Sequence, residues 1–251
     1  MYRSGNPALN DSTFEKSAYK EVSWWEDSES NLMSMNGVVD KTALLLTIVT
    51  LTAIAVYLTV PTFLFLSLLG AIVGFVVALI IIFSGSMNPT LICTYAACQG
   101  LFLGGITWII EKQVDAPGLG IVAAVLTFLI LGVMLSIYRA GLISWNKNMQ
   151  IAVTSSMVAI LLIYLVSFIG SFVGFEVPLI HGNGAVGIAF SVFVVGIASL
   201  CLVADFDFIE RGVERGAPKQ LEWRAAFGLL VTLIWLYLEI LKLLAKLAPR
   251  K

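Results

Sequence analysis

The stretch Ala225-Ala226-Phe227-Gly228-Leu229-Leu230-Val231-Thr232-Leu233-Ile234-Trp235-Leu236-Tyr237-Leu238-Glu239-Ile240-Leu241-Lys242-Leu243-Leu244-Ala245-Lys246-Leu247 decides the fold. It exceeds the ~20 residues that carry a helix across a bilayer's hydrocarbon core. Six further apolar runs of that length precede it: Thr42 to Thr59, Pro61 to Phe83, Leu91 to Ile110, Leu119 to Tyr138, Ile151 to Phe175, and Ala185 to about Phe208. In hydrocarbon only a helix satisfies the backbone groups of such a run from within the run itself. Between the runs lie turn-forming stretches: Ser84-Gly85-Ser86-Met87-Asn88-Pro89, Ala116-Pro117-Gly118, His181-Gly182-Asn183-Gly184 and Gly216-Ala217-Pro218. The reading is an all-α membrane protein with seven transmembrane helices.

Composition agrees. Of 251 residues, 59% are hydrophobic and 12% charged, about half the charge fraction of an ordinary soluble domain. That excludes a water-soluble globule, and it excludes intrinsic disorder for the chain as a whole. Fifteen Lys+Arg stand against sixteen Asp+Glu, a net charge of −1, so there is no basic excess to hold nucleic acid. One His and three Cys give little material for a zinc site or a disulfide framework. Cys93, Cys98 and Cys201 all lie in apolar runs and read as small buried hydrophobes.

Charge is segregated along the chain. Residues 1–41 form a polar tail with no apolar core of the kind a secretory signal needs, and residues 42–251 form the seven-helix membrane domain. Trp24 and Trp25 are placed to dip into the membrane interface. Orientation follows from Lys and Arg. Arg3, Lys16, Lys20, Lys41, Arg139, Lys147, Arg211, Arg215, Lys219 and Arg224 fall on the amino-terminal side. Lys112, Lys242, Lys246, Arg250 and Lys251 fall on the other. Ten against five predicts a cytoplasmic amino terminus. Three spaced glycine pairs, Gly70-x-x-x-Gly74, Gly100-x-x-x-Gly104 and Gly170-x-x-x-Gly174, predict close approach of helices within the bundle.

A charged side chain at the centre of a membrane helix costs at least about 2.5–3.5 kcal/mol. The first five runs contain no such residue in their interiors, so the exceptions late in the chain are informative. Asp205 and Asp207 close the sixth run, and Glu239 lies well inside the seventh. Burial disfavours the ionised form of a carboxyl group, and a second carboxylate nearby disfavours it further. A carboxyl pair in a bundle core can therefore act as a proton or divalent-cation switch, taking Ca2+ on its oxygens when ionised. The plainer alternatives are also specific. Glu239 and Lys242, three apart on one helix face, make an ordinary intrahelical ion pair, Lys242 and Lys246 snorkel to the outer interface, and Asp205 and Asp207 sit at a solvated helix end.

Three stretches resemble the Bax inhibitor family, the transmembrane Bax inhibitor motif superfamily, in its bacterial branch. They are Ser4-Gly5-Asn6-Pro7-Ala8-Leu9-Asn10, Ala204-Asp205-Phe206-Asp207-Phe208-Ile209-Glu210-Arg211-Gly212 and Leu236-Tyr237-Leu238-Glu239-Ile240-Leu241-Lys242-Leu243-Leu244. The resemblance implies six helices around a central seventh and a bacterial inner (plasma) membrane location. It also implies a pH-sensitive calcium leak whose sensor is a carboxylate pair, which falls by motif on Asp205 and Glu239, with roles in stress protection and ion homeostasis. Some bacterial relatives bind and restrain a membrane protease. Glu239 stands where Asp is usual in the family. The stretch after the second run, Phe83 to Asn88, lacks the basic residue that related sensors use to engage the pair, leaving Arg139 or Arg211 as substitutes.

Geometry adds an alternative acid. In a straight hairpin turning near Ala217, Asp205 and Glu239 would miss each other by about 15 Å at ~1.5 Å per residue. Glu222 is then the better-placed neighbour of the Asp205/Asp207 end. The expected partners are the lipid bilayer and calcium ions or protons, and no resident cofactor is expected beyond transient Ca2+. The rival is a regulator that binds a membrane protease or stress factor without conducting ions. Enzymatic readings fit poorly. The single His is in a loop, Glu239 is a poor match to an aspartyl-protease pair, and Lys242 is too near a helix end for a retinal Schiff base.

Overall fold

The computed structural model describes residues 31–60, 64–172, 174, 182 and 184–248. The tail motif Ser4 to Asn10, Trp24, Trp25, His181, Arg250 and Lys251 lie outside the described residues. Among the described residues there are seven helices: α1 (Met35–Thr59), α2 (Leu64–Ser84), α3 (Pro89–Val114), α4 (Leu119–Arg139), α5 (Lys147–Phe172), α6 (Ala185–Glu214) and α7 (Leu221–Leu247). All seven are long and apolar enough to cross a membrane. The all-α, seven-span architecture read from the sequence is the one observed.

Several helices begin before their apolar runs, and the cause is capping. An apolar run marks the hydrocarbon, whereas a helix continues until its free amide groups find acceptors. Ser34 Oγ accepts from Gly37 N at 3.0 Å, so α1 starts at Met35 rather than Thr42. Asn88 Oδ1 accepts from Thr90 N at 2.9 Å, and Pro89 suits a first helical position, so α3 starts ahead of Leu91. Asn146 Oδ1 accepts from Met149 N at 2.9 Å, which sets α5 to start at Lys147. At the other end of the chain, α6 runs past Phe208 to Glu214, with an Asp207–Arg211 ion pair across one turn of the extension.

The chain divides into two compact units. The first comprises residues 1–109 and 205–231, hence α1, α2, most of α3, the end of α6 and the start of α7. Its helices meet backbone to backbone. A Cβ on Gly70 would lie 2.6 Å from Cys98 O, one on Gly100 2.4 Å from Val49 O, and one on Gly104 2.3 Å from Ala53 O. The first two glycine pairs are thus contact surfaces, α2 against α3 and α3 against α1. Ser67 Oγ adds a hydrogen bond to Phe102 O at 3.0 Å, and Tyr95 meets Phe227 edge to face at 4.9 Å. The third glycine pair does not pack this way. α5 ends at Phe172, and Gly174 lies beyond it at φ +75° with nothing within 4 Å of its would-be Cβ. It is a left-handed glycine just beyond the last described residue of α5.

The second unit comprises residues 110–204 and 232–251. Its core is built from larger side chains, with Trp145, Val153, Ile160, Val194, Ile197, Cys201 and Val203 buried and Tyr164, Phe190 and Trp235 packed against them. Outward faces remain apolar. Phe65, Phe75, Phe128, Ile151, Phe168 and Val186 are among many exposed large hydrophobics, as a lipid-facing surface requires. α7 is the most enclosed of the seven, with 61% of its most apolar stretch buried against 17% in α5.

Gly104→Val is expected to lower stability by about 1–3 kcal/mol through overpacking against the Ala53 carbonyl. Gly196→Ala, where a Cβ meets nothing within 4 Å, is the control. Thermal unfolding in detergent is the measurement, and equal Tm values for the two variants would contradict the packing account.

Candidate functional site: the buried acids of α6 and α7

Asp205, Glu222 and Glu239 are all buried, at 0%, 0% and 2% exposure. Asp205, Asp207 and Glu222 belong to the first unit and Glu239 to the second.

In the first unit, Glu222 occupies the first turn of α7, where the free amides and dipole of a helix start favour an acid. Its Oε1 accepts from Ser34 N at 2.9 Å and from Ser34 Oγ at 3.1 Å, and its Oε2 forms an ion pair with Lys41. Lys41 Nζ also stands 5.5 Å from the centroid of the Trp223 ring. The carboxylate reaches this position because residue 37 is glycine. A Cβ there would lie 2.3 Å from Glu222 Oε1. The backbone closes the same junction: Met33 N donates to Ala217 O at 2.6 Å, Lys219 N to Asn31 O at 2.8 Å, and Leu32 pairs with Pro218 in an antiparallel bridge. A short strap before α1 is thereby laced to the α6–α7 turn. Glu222, weighed from the sequence only as an alternative acid, is the anchor of this lacing.

Asp207 is partly exposed and paired with Arg211, one turn along α6. The plainer expectation for this helix end was solvation alone; the ion pair with Arg211 goes beyond it and engages one of the two arginines considered as a latch. Asp205, two residues earlier, is turned fully inward. Arg224, counted from the sequence among the cytoplasmic charges, is only 5% exposed in α7.

In the second unit, Glu239 is met by three donors. Tyr164 of α5 donates its hydroxyl to Oε2 at 2.8 Å. Trp235 Nε1 and Lys242 Nζ donate to Oε1 at 3.2 and 3.0 Å from one turn on either side in α7. Lys242 also lies 4.8 Å from the centroid of the Tyr164 ring. Tyr164 packs edge to face on Phe190 of α6, with ring centroids 6.5 Å apart. The predicted Glu239–Lys242 pair is present, but Lys246 does not simply snorkel. Its Nζ donates to Gly187 O at 3.0 Å and to Ser191 Oγ at 2.8 Å in α6.

A fourth buried acid was not singled out in the sequence. Glu111, 6% exposed at the end of α3, accepts from Gly120 N at 2.7 Å and so caps the start of α4 across the Pro117 turn. A usable signal was an acid placed shortly before a Pro-Gly turn that opens an apolar run. Among the described residues no group of three His, Cys, Asp or Glu side chains could hold a metal ion.

Seven membrane-crossing helices with inward-facing acids in the last two define a polytopic membrane protein with ionisable groups inside its spans. Such groups are candidate functional sites. The family profile described as Bax inhibitor 1 like matches residues 6–249, and the chain belongs to that family. No curated protein matches it.

Removing one member of a buried ion pair strands the other, at a cost of about 3–5 kcal/mol. Lys41→Met is therefore expected to lower stability by several kcal/mol, with the double variant Lys41→Met/Glu222→Gln recovering part of the loss. A double-mutant cycle of unfolding in detergent measures the coupling. Additive effects would show that the pair contributes no coupling.

Proposed function

We propose that this chain is an ion-homeostasis protein of a bacterial inner membrane, a pH-responsive cation leak with calcium as the foremost ion, and that Asp205 and Glu239 carry the response. The amino terminus then faces the cytoplasm, as the ten-to-five bias of Lys and Arg favours. The observation that carries the reading is Glu239, an acid 2% exposed within a membrane span and held by donors from two helices. Family membership supports it further.

The chemistry follows from the donors. Ionised, Glu239 accepts three hydrogen bonds, one of them from an ammonium group. Such charge-assisted bonds are roughly twice as strong as neutral ones. Protonation removes the charge that holds Lys242 and turns one carboxyl oxygen into a donor, so the cluster must rearrange. Asp205 offers a second inward-facing carboxyl on α6. Asp207 contributes less on this reading, because it is paired with Arg211 at the surface.

Liposomes loaded with a calcium dye and assayed across a pH series test the proposal. Wild type is expected to pass Ca2+ with a pH-dependent rate, and Glu239→Gln to pass it without that dependence, because the amide does not titrate. Asp205→Asn is expected to shift or flatten the profile. An unaltered profile in Glu239→Gln would remove Glu239 as the sensor, and tight wild-type vesicles at every pH would remove the leak itself.

A further inference from the structure

Glu239 has one charged donor, and it is the one with the freest side chain. Lys242 is 42% exposed at the side chain, whereas Glu239 is 2% exposed. Its ammonium nitrogen is 3.0 Å from the carboxylate and 4.8 Å from the centroid of the Tyr164 ring. A carboxylate with an aromatic face beside it is a site for a monovalent cation or an ammonium group, and here the protein supplies that cation from its own helix. One turn further along α7, Lys246 repeats the arrangement with neutral oxygens, resting on Gly187 O and Ser191 Oγ. Lys242 thus occupies the Glu239 carboxylate, and Lys246 the neutral oxygens one turn on. Ca2+ takes oxygen ligands, so at the Glu239 carboxylate it meets Lys242 as a rival.

We propose that Lys242 is a built-in competitor for cations at Glu239, so that a free cation reaches the carboxylate only by displacing the lysine. Glu239 lies about two turns from the carboxyl-terminal end of α7, so the displaced stem can swing toward that end without unwinding the helix. Lys242 thereby sets how much cation is needed, while Tyr164 and Trp235 keep the carboxylate aimed. This inference rests on the leak reading, and the experiment separates the two.

Ca2+ flux into liposomes is measured at one fixed pH for wild type, Lys242→Met and Lys242→Arg. Lys242→Met is expected to lower the Ca2+ concentration for half-maximal flux by roughly fivefold, the factor equivalent to about 1 kcal/mol for a pair with one exposed partner. Lys242→Arg, which keeps the charge, is expected to stay near wild type. A conducting wild type with an unchanged Lys242→Met overturns the competitor role and leaves the leak intact. If wild type conducts nothing, the leak reading fails, and Ca2+ binding by calorimetry decides the competitor role: tighter binding in Lys242→Met supports it, equal binding overturns it. Should the methionine variant not fold, amine-selective labelling of Lys242 in the wild-type protein decides the same point. Labelling that rises with added Ca2+ reports displacement, and constant labelling refutes it.

Discussion

An acid inside a membrane span has to be met by donors, because hydrocarbon offers none and an unpaired charge there is among the costliest defects a helix can carry. α7 accepts that constraint near both of its ends. At its first turn Glu222 is met by the Ser34 amide, the Ser34 hydroxyl and Lys41. About two turns before its last residue Glu239 is met by Tyr164, Trp235 and Lys242. In each unit the carboxylate fixes which face of α7 is turned to its neighbour, since any other rotation would leave the acid without donors. Apolar packing alone has little power to do this, because lipid tails are as good a solvent for leucine as another helix is.

The two units solve the packing problem differently. The first brings backbones together at Gly70, Gly100 and Gly104, where dispersion and close polar contact replace the missing hydrophobic drive. The second fills its interior with Trp145, Ile160, Val194, Ile197 and Cys201, with Tyr164 and Phe190 meeting edge to face beside the acid. Closely apposed backbones leave little room for a side chain to change rotamer. The Glu239 cluster lies in the second kind of environment, beside Tyr164 and Trp235.

The seven spans were legible because length and continuity of apolar residues are direct consequences of bilayer thickness. Their ends were not, because Ser34, Asn88 and Asn146 act through single hydrogen bonds that leave no mark on hydropathy. Two of the three glycine pairs were read correctly as packing surfaces. The third failed because spacing alone cannot say whether Gly174 still belongs to the helix. Asp205 and Glu239 stood out as charges inside apolar runs, and both proved buried. Glu111 was passed over and Arg224 was counted only as an orienting charge, because both lie just outside the runs, where charge is ordinarily solvated. The lacing of Glu222 to Ser34 and Lys41 joins residues from opposite ends of the chain, and no local pattern encodes such a partnership.

The strap before α1 has a consequence for how the gene can vary. Met33, Lys219 and the Leu32–Pro218 bridge match the strap to the α6–α7 turn residue for residue. An extra residue between Gly216 and Leu221 would slide one edge of that match past the other and carry Glu222 away from its donors. Length polymorphism among natural variants should therefore be purged between α6 and α7.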